Sequence, residues 1–275
     1  MFDWFKKKDS IIEEKIPIKE INFIDFHKIA EFLYIECGIT DLDKRVLSFS
    51  WLKQYALDNN INSTDIFLAL LNEKGKVYQD AINIVTVNET YFFREKKELI
   101  FLVEFIKKSP NRLKILSLPC SSGEEIYSIL IMMLEKNIPL DKIELSGYDI
   151  DMQMIKKAEE GIYNEYSLHN VSKEIREKYF DIVDNNNFQI KQFLKQNIKF
   201  KQQNIFEIDI KKESYDVVLS RNMMIYFDDL KRDEAMKIIT NILKKDSIFI
   251  KGHADLLKSC DKLKNIAFGV YKKLN

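Results

Sequence analysis

From Ile21 to about Val85, apolar residues return at three- and four-residue steps. Phe23, Phe26, Ile29, Ala30 and Leu33 open the series, with the spacing that lays one apolar stripe along a helix. Similar stretches cover Lys44–Leu57, Thr64–Leu71 and Lys76–Ile84, and none alternates as a strand does. The pattern predicts an all-helical domain over residues 1–85. Beyond Arg94 it changes to short apolar runs separated by helical stretches. Lys114–Leu118, Ile143–Tyr148, Ile198–Gln202, Tyr215–Ser220 and Ser247–Lys251 read as buried strands, and Glu124–Glu135, Asp151–Glu160 and Leu230–Leu243 as helices. Strand–helix alternation builds a mainly parallel sheet covered on both faces, the Rossmann-like α/β class. Such sheets take ligands at the carboxyl ends of their strands, where strand order reverses. This second domain is expected over residues 86–275.

One segment breaks that rhythm. After the turn-like Asp184–Asn187, Phe188 and Ile190 alternate with Gln189 and Lys191, which predicts a small antiparallel β insertion at about 181–200.

Charge narrows the field of partners. Lys+Arg and Asp+Glu both number 43, so the chain lacks the basic excess that phosphate neutralisation demands of a nucleic-acid binder. No apolar stretch approaches the roughly 18–20 residues that span a bilayer. The opening MFDWFKKKDS lacks the apolar core of a secretory signal, and its Phe2, Trp4, Phe5 and Lys6 to Lys8 read as a frayed terminus. Cys37, Cys120 and Cys260 are far apart without a C-x-x-C pair, so reduced thiols in the cytoplasm are expected and no metal site is.

Candidate chemistry clusters in a few short runs. Residues 116–127, LSLPCSSGEEIY, follow the first strand and open a helix. With one glycine, this loop lacks the G-x-G-x-x-G that brings a pyrophosphate against backbone amides. Glu124 and Glu125 either complement the helix dipole or receive a ligand cation. In G-Y-D-I-D, at 147–151, Asp149 is placed to accept hydrogen bonds from ribose hydroxyls, while Asp151 suits a helix N-cap. In S-R-N-M-M-I-Y-F, at 220–227, Asn222 and Tyr226 stand at the end of the fourth strand, and Met223, Met224 and Ile225 suit helix packing. Residues 88–95, NETYFFRE, set three aromatics and an arginine into a single turn.

Taken together with K-A-E-E-G-I-Y and the late G-H-A-D, these motifs place the chain by likeness. From about Phe23 to Tyr271 it resembles the CheR family, the S-adenosylmethionine-dependent methyltransferases that esterify glutamates of chemotaxis receptors. The resemblance implies that NETYFFRE joins a helical domain to the catalytic one. By matching positions, Asn88, Thr90 and Arg94 contact the cofactor, and Phe92 and Phe93 wall its pocket. Glu125 meets the methionine end, Asp149 the ribose, and Asn204 and Ile205 the adenine. Asn222, Met223 and Tyr226 complete the site beside the reacting methyl. Arg94 and Tyr226 are the catalytic candidates. Arg94 is suited to gripping a carboxylate at two points, whether the acceptor's or the cofactor's own, and Tyr226 to orienting the acceptor oxygen. His253 is expected to be structural.

The implied partner is a protein substrate, a chemotaxis receptor or related signalling protein, met by a monomer. Two alternatives stay open: another protein acceptor, or a non-catalytic scaffold that binds the cofactor. Receptor-methylating members carry an Arg-rich second helix, whereas here Lys44, Arg45 and Lys53 are offset by Asp41, Asp43 and Asp58. The insertion has no glycine around Asp184–Asn187, and G-H-A-D stands in place of G-H-S-E.

Overall fold

The structure, a computed structural model, describes residues 24–42, 45–196, 198–257 and 260–274. Phe2, Trp4, Phe5, Lys6 to Lys8, Phe23, Asp43 and Lys44 lie outside the described residues. The chain divides into two compact units. One holds the described residues up to Ile35 together with Asp41–Val85, and the other holds Glu36–Thr40 and the chain from Thr86 onward.

The first unit is helical, with α1 (Phe26–Cys37, whose last residues count with the second unit), α2 (Val46–Asp58), α3 (Thr64–Asn72) and α4 (Lys76–Val85). The periodic positions are the buried ones: Phe26, Ile29 and Leu33 on α1, Leu52 and Ala56 on α2, and Tyr78, Ala81 and Ile82 on α4. Phe26 presents its edge to Phe49 at 5.6 Å and to Phe67 at 6.3 Å, an arrangement that satisfies ring quadrupoles as well as area burial. Ser63 caps α3 by accepting from the Ile66 N–H.

In the second unit, α5 (Lys96–Lys108) precedes a seven-stranded sheet. Its strands are β1 (Leu113–Ser117), β2 (Ile143–Asp149), β6 (Ile198–Gln202), β7 (Tyr215–Ser220), β8 (Leu243–Lys251), β9 (Leu263–Ala267) and β10 (Val270–Lys273), in the order β6-β2-β1-β7-β8-β10-β9. The first five in that order run parallel; β10 pairs antiparallel with β8, and β9 antiparallel with β10. From β1 the chain builds outward to β2 and β6, then returns to place β7 on the other side of β1. The crevice between these two directions is the switch point of the sheet. The helices α6 (Glu124–Glu135), α7 (Met152–Glu160) and α10 (Asp229–Ile242) follow β1, β2 and β7. Gly147 lets β2 pass close beneath its neighbours, since a Cβ there would sit 2.9 Å from the Phe200 ring and closer still to Ile126.

The antiparallel insertion is larger than the alternation suggested. Its strand order is β3 (Ile162–Asn164), β5 (Asn187–Ile190), β4 (Phe180–Ile182), with α8 (Lys173–Tyr179) ahead of β4 and a short α9 (Gln192–Lys195) behind β5. The anticipated turn is there: the Asp184 carboxylate accepts from the N–H groups of Asn186 and Asn187. Strand β3 has three residues, too few for a period-two signal to show. The closing β9–β10 hairpin went unread for a similar reason, because its short strands mix apolar with polar residues and carry no apolar run.

Candidate active site

The carboxyl ends of β1, β2, β6 and β7 surround a cavity that opens to solvent. Its walls include Asn88, Thr90, Arg94, Glu125, Asp149, Asn204, Ile205, Asn222, Met223 and Tyr226. These ten residues, all expected at the site from sequence, thus line one space. Phe92 and Phe93 do not. Phe92 is fully buried, set edge-on to Tyr163 at 4.9 Å and to Phe180 at 5.2 Å, and Phe93 packs against the same core. The aromatic of that turn that lines the cavity is Tyr91. So the run of rings divides its labour: two anchor the turn in the core, and one faces the ligand space.

Asp149 ends β2 in register with Gln202. The loop after β1 crosses this strand end, where the Cys120 N–H donates to the Tyr148 carbonyl. The Asp149 carboxylate accepts from the N–H groups of Ser121, at 2.8 Å, and Asp151, at 2.9 Å. It is 3% exposed. Burial pushes its pKa up to about 7 against the pull of these amides, and the nearby Asp151 adds to the rise. Asp151 caps α7 through the Gln153 N–H and also accepts from the Asn88 side-chain amide at 2.9 Å. The first turn of the NETYFFRE segment is thereby tied to the β2 end.

The two acids that open α6 separate. Glu124 turns away from the cavity and takes hydrogen bonds from the hydroxyls of Ser122 and Ser167, and burial raises its pKa. Glu125 faces the cavity, accepting from the Ser117 hydroxyl at 2.8 Å and from the Arg221 guanidinium.

Asn222 adopts φ 60, a left-handed bend that asparagine tolerates better than most side chains. Asp255 supports that bend by accepting from the N–H groups of Asn222, Met224 and Gly252. Burial pushes its carboxyl up while those amides oppose the shift. Gly252 must lack a side chain, since a Cβ would lie 2.8 Å from the Asn222 nitrogen. Asn204 caps the turn after β6 through the Phe206 N–H and donates to the Glu36 carbonyl. The Tyr226 hydroxyl accepts from the Val87 N–H and donates to the Val87 carbonyl, both at 2.9 Å. That hydroxyl clamps the segment leading into Asn88, a positional task that the sequence did not suggest. Arg94 is half-buried, donates to the Glu89 carbonyl at 2.5 Å and lies 5.7 Å from the Tyr91 ring centre.

Sequence reasoning passed over Arg221, although the S-R-N run contains it. A buried arginine at a strand end requires acids around it, and both acids stood in recognised motifs: Glu125 in the α6 loop and Glu95 closing NETYFFRE. His253 sits at the end of β8 with its ring nitrogen 2.7 Å from Glu98 Oε1 and its N–H on Glu95. Ligand atoms of Glu95, Glu98 and His253 lie within 4.8 Å of one another. Glu95 is committed to the Arg221 guanidinium at 3.1 Å, so the group forms a charge network.

Residues 88–271 match the CheR methyltransferase SAM-binding domain. The chain is 32% identical over 249 residues to chemotaxis protein methyltransferase 2 of Vibrio cholerae, covering 84% of this chain and 85% of that one. It is 34% identical over 207 residues to the chemotaxis protein methyltransferase of Borreliella burgdorferi, covering 70% and 73%. With the chemotaxis protein methyltransferase of Campylobacter jejuni the identity is 30% over 256 residues, covering 93% and 96%.

Proposed function

The chain belongs to the CheR methyltransferase family and is a methyltransferase of chemotaxis signalling that uses S-adenosylmethionine; from that premise, we propose that its acceptor is a glutamate side chain of a chemotaxis receptor, converted to the methyl ester. The donor set suits this cofactor. A sulfonium with an amino-acid tail asks for an anion at one end, a hydroxyl acceptor at the other and apolar surface between them. The cavity presents Glu125, Asp149 and the side chains of Ile150 and Ile205. In this reading Glu125 receives the ammonium, Asp149 the ribose hydroxyls, and Asn204 and Ile205 the adenine. Asn88, Thr90, Asn222 and Met223 fill the walls between.

When bound, the cofactor supplies an electrophilic methyl group. The chain's own part is to place a carboxylate oxygen in line with it, because alignment accounts for much of such a barrier. No His or Lys is among the described residues that line the cavity, and a glutamate already ionised at neutral pH requires no base. Arg94 offsets the cost of drawing that carboxylate out of water. The observation that carries the proposal is this pairing of a half-buried guanidinium with a cavity whose described lining holds neither His nor Lys.

We assign cofactor and chemistry to residues 86–275, and acceptor docking to residues 1–85. On α2, the Lys53 ammonium lies 4.5 Å from the Phe49 ring centre and 5.5 Å from that of Phe26, and its charge is balanced on the helix by Asp58, so α2 presents no net positive charge to a strongly acidic helix. No described helix is long and apolar enough to cross a membrane, and a cytoplasmic location follows from the proposed role. The test is the product. Protein labelled from methyl-tritiated cofactor should release its label as volatile methanol in alkali, as an ester does, and Arg94→Ala should transfer little label. Alkali-stable label would refute the glutamate assignment.

A further inference from the structure

Arg221 is almost wholly enclosed, with 4% of its side chain exposed, and it lies between two carboxylates. One of its terminal nitrogens bonds Glu125. The other donates to the Arg94 carbonyl at 2.6 Å and to Glu95 at 3.1 Å. Glu95 does not line the cavity, whereas Glu125 and Arg221 do. Burial opposes ionisation of Glu95, but the Arg221 charge and the His253 N–H outweigh it and hold its carboxyl below the usual range. The array therefore carries two negative charges and one positive. Without Glu95, the guanidinium would cancel the charge of Glu125.

We propose that Glu95 is a positioning residue for the amino-acid end of the cofactor: Arg221, on the cavity wall, ties the Glu125 carboxylate to the Arg94 backbone, and Glu95 neutralises Arg221 so that the charge of Glu125 stays available to an ammonium group. This rests on the reading of the cavity as the S-adenosylmethionine site. It assigns a binding role to a side chain outside the cavity, which a wall-by-wall inspection would miss. A guanidinium is required because its planar fork reaches two acids and a carbonyl at once, which a lysine ammonium cannot reproduce in one plane.

The test compares two ligands by calorimetry: S-adenosylhomocysteine, which carries the ammonium, and 5′-methylthioadenosine, which lacks the amino-acid tail. Glu95→Gln keeps the shape and leaves Arg221 paired with Glu125. It should weaken S-adenosylhomocysteine about tenfold, the order expected for one unit charge roughly 10 Å away at an effective dielectric constant of about 20. Methylthioadenosine should bind as before. Glu95→Asp should restore most of the loss, and Arg221→Lys should show the same selective weakening. Equal weakening of both ligands would make the array merely structural and overturn the proposal, as would an unaltered Glu95→Gln. Wild-type protein that binds neither ligand would overturn the cofactor reading itself, a result distinct from either.

Discussion

The cavity has a carboxylate at each end, and the two are held in opposite ways. Glu125 is answered by a full positive charge, the Arg221 guanidinium, and by the Ser117 hydroxyl. Asp149 is answered by backbone N–H groups alone, from Ser121 and Asp151. Amides favour the carboxylate less than a guanidinium does, so burial prevails at Asp149 and pushes its pKa up to about 7. The difference teaches that the group answering a carboxylate decides how far burial can raise it. On the proposed reading, one end takes a cation, and the other takes neutral hydroxyls that restore the charged form as they bind.

The strongest test of this contrast is Asp149→Ala. Two hydrogen bonds from ribose hydroxyls are each worth about 0.5–1.5 kcal/mol net. Affinity for S-adenosylhomocysteine should then fall by roughly ten- to a hundredfold, at about 1.4 kcal/mol per decade. Unchanged calorimetric affinity in a folded variant would remove Asp149 from the site.

A pH titration of binding sharpens the same point. Hydroxyl donors favour the carboxylate, so affinity should climb with pH and flatten above about 7. At pH 6 only about a tenth of the empty protein has Asp149 ionised, which predicts affinity about tenfold below the plateau. Stability follows the sign of the shift. A carboxyl raised from 3.8 stabilises the empty fold fully below that value, and the contribution is lost as pH rises through about 7. Saturating ligand should therefore raise the melting temperature more at pH 7.5 than at pH 6. A flat profile would mean that the amides already hold the charge.

Smaller effects lie away from the two acids. Tyr226→Phe removes both hydrogen bonds to Val87, each worth about 0.5–1.5 kcal/mol net. Cofactor affinity should drop by roughly three- to tenfold, without the pH slope that marks Asp149. Smallest is the effect of salt on transfer to a receptor acceptor. With Lys53 balanced by Asp58 on α2, rates between low and moderate salt should change by no more than about twofold, although a basic docking face would be screened over a Debye length of about 10 Å at 0.1 M. A collapse in rate would reveal a basic surface elsewhere.

Most of the scaffold could be read from periodicity because one-sided and two-sided burial leave different spacings. Glu124–Glu135 and Tyr215–Ser220 appear where the pattern put them, since apolar spacing and turn residues agree there. Asp149 and Asn222 were found because the end of a strand in a parallel sheet is a place that topology defines. Arg221 and Asp255 were not, because nothing local marks them. Their partners, Glu95 at a distance of 126 residues and Asn222 at 33, meet them only after folding. Phe92 and Phe93 show the converse limit. A motif tells which side chains are required, but the direction of a single turn decides whether a ring enters the core or the cavity.

The bend at Asn222 has an evolutionary consequence. At φ 60 the backbone admits glycine readily, asparagine and aspartate with small cost, and β-branched residues hardly at all. The cavity selects separately, through the amide on the same residue. Glycine would keep the bend and lose the amide, glutamine would keep an amide and strain the bend, and aspartate would set a third negative charge beside Glu95, 3.5 Å from the present amide. Chain geometry and chemistry therefore screen this position independently. Asparagine is the residue that passes both screens, so drift at 222 should be slower than at neighbours whose side chains answer to only one.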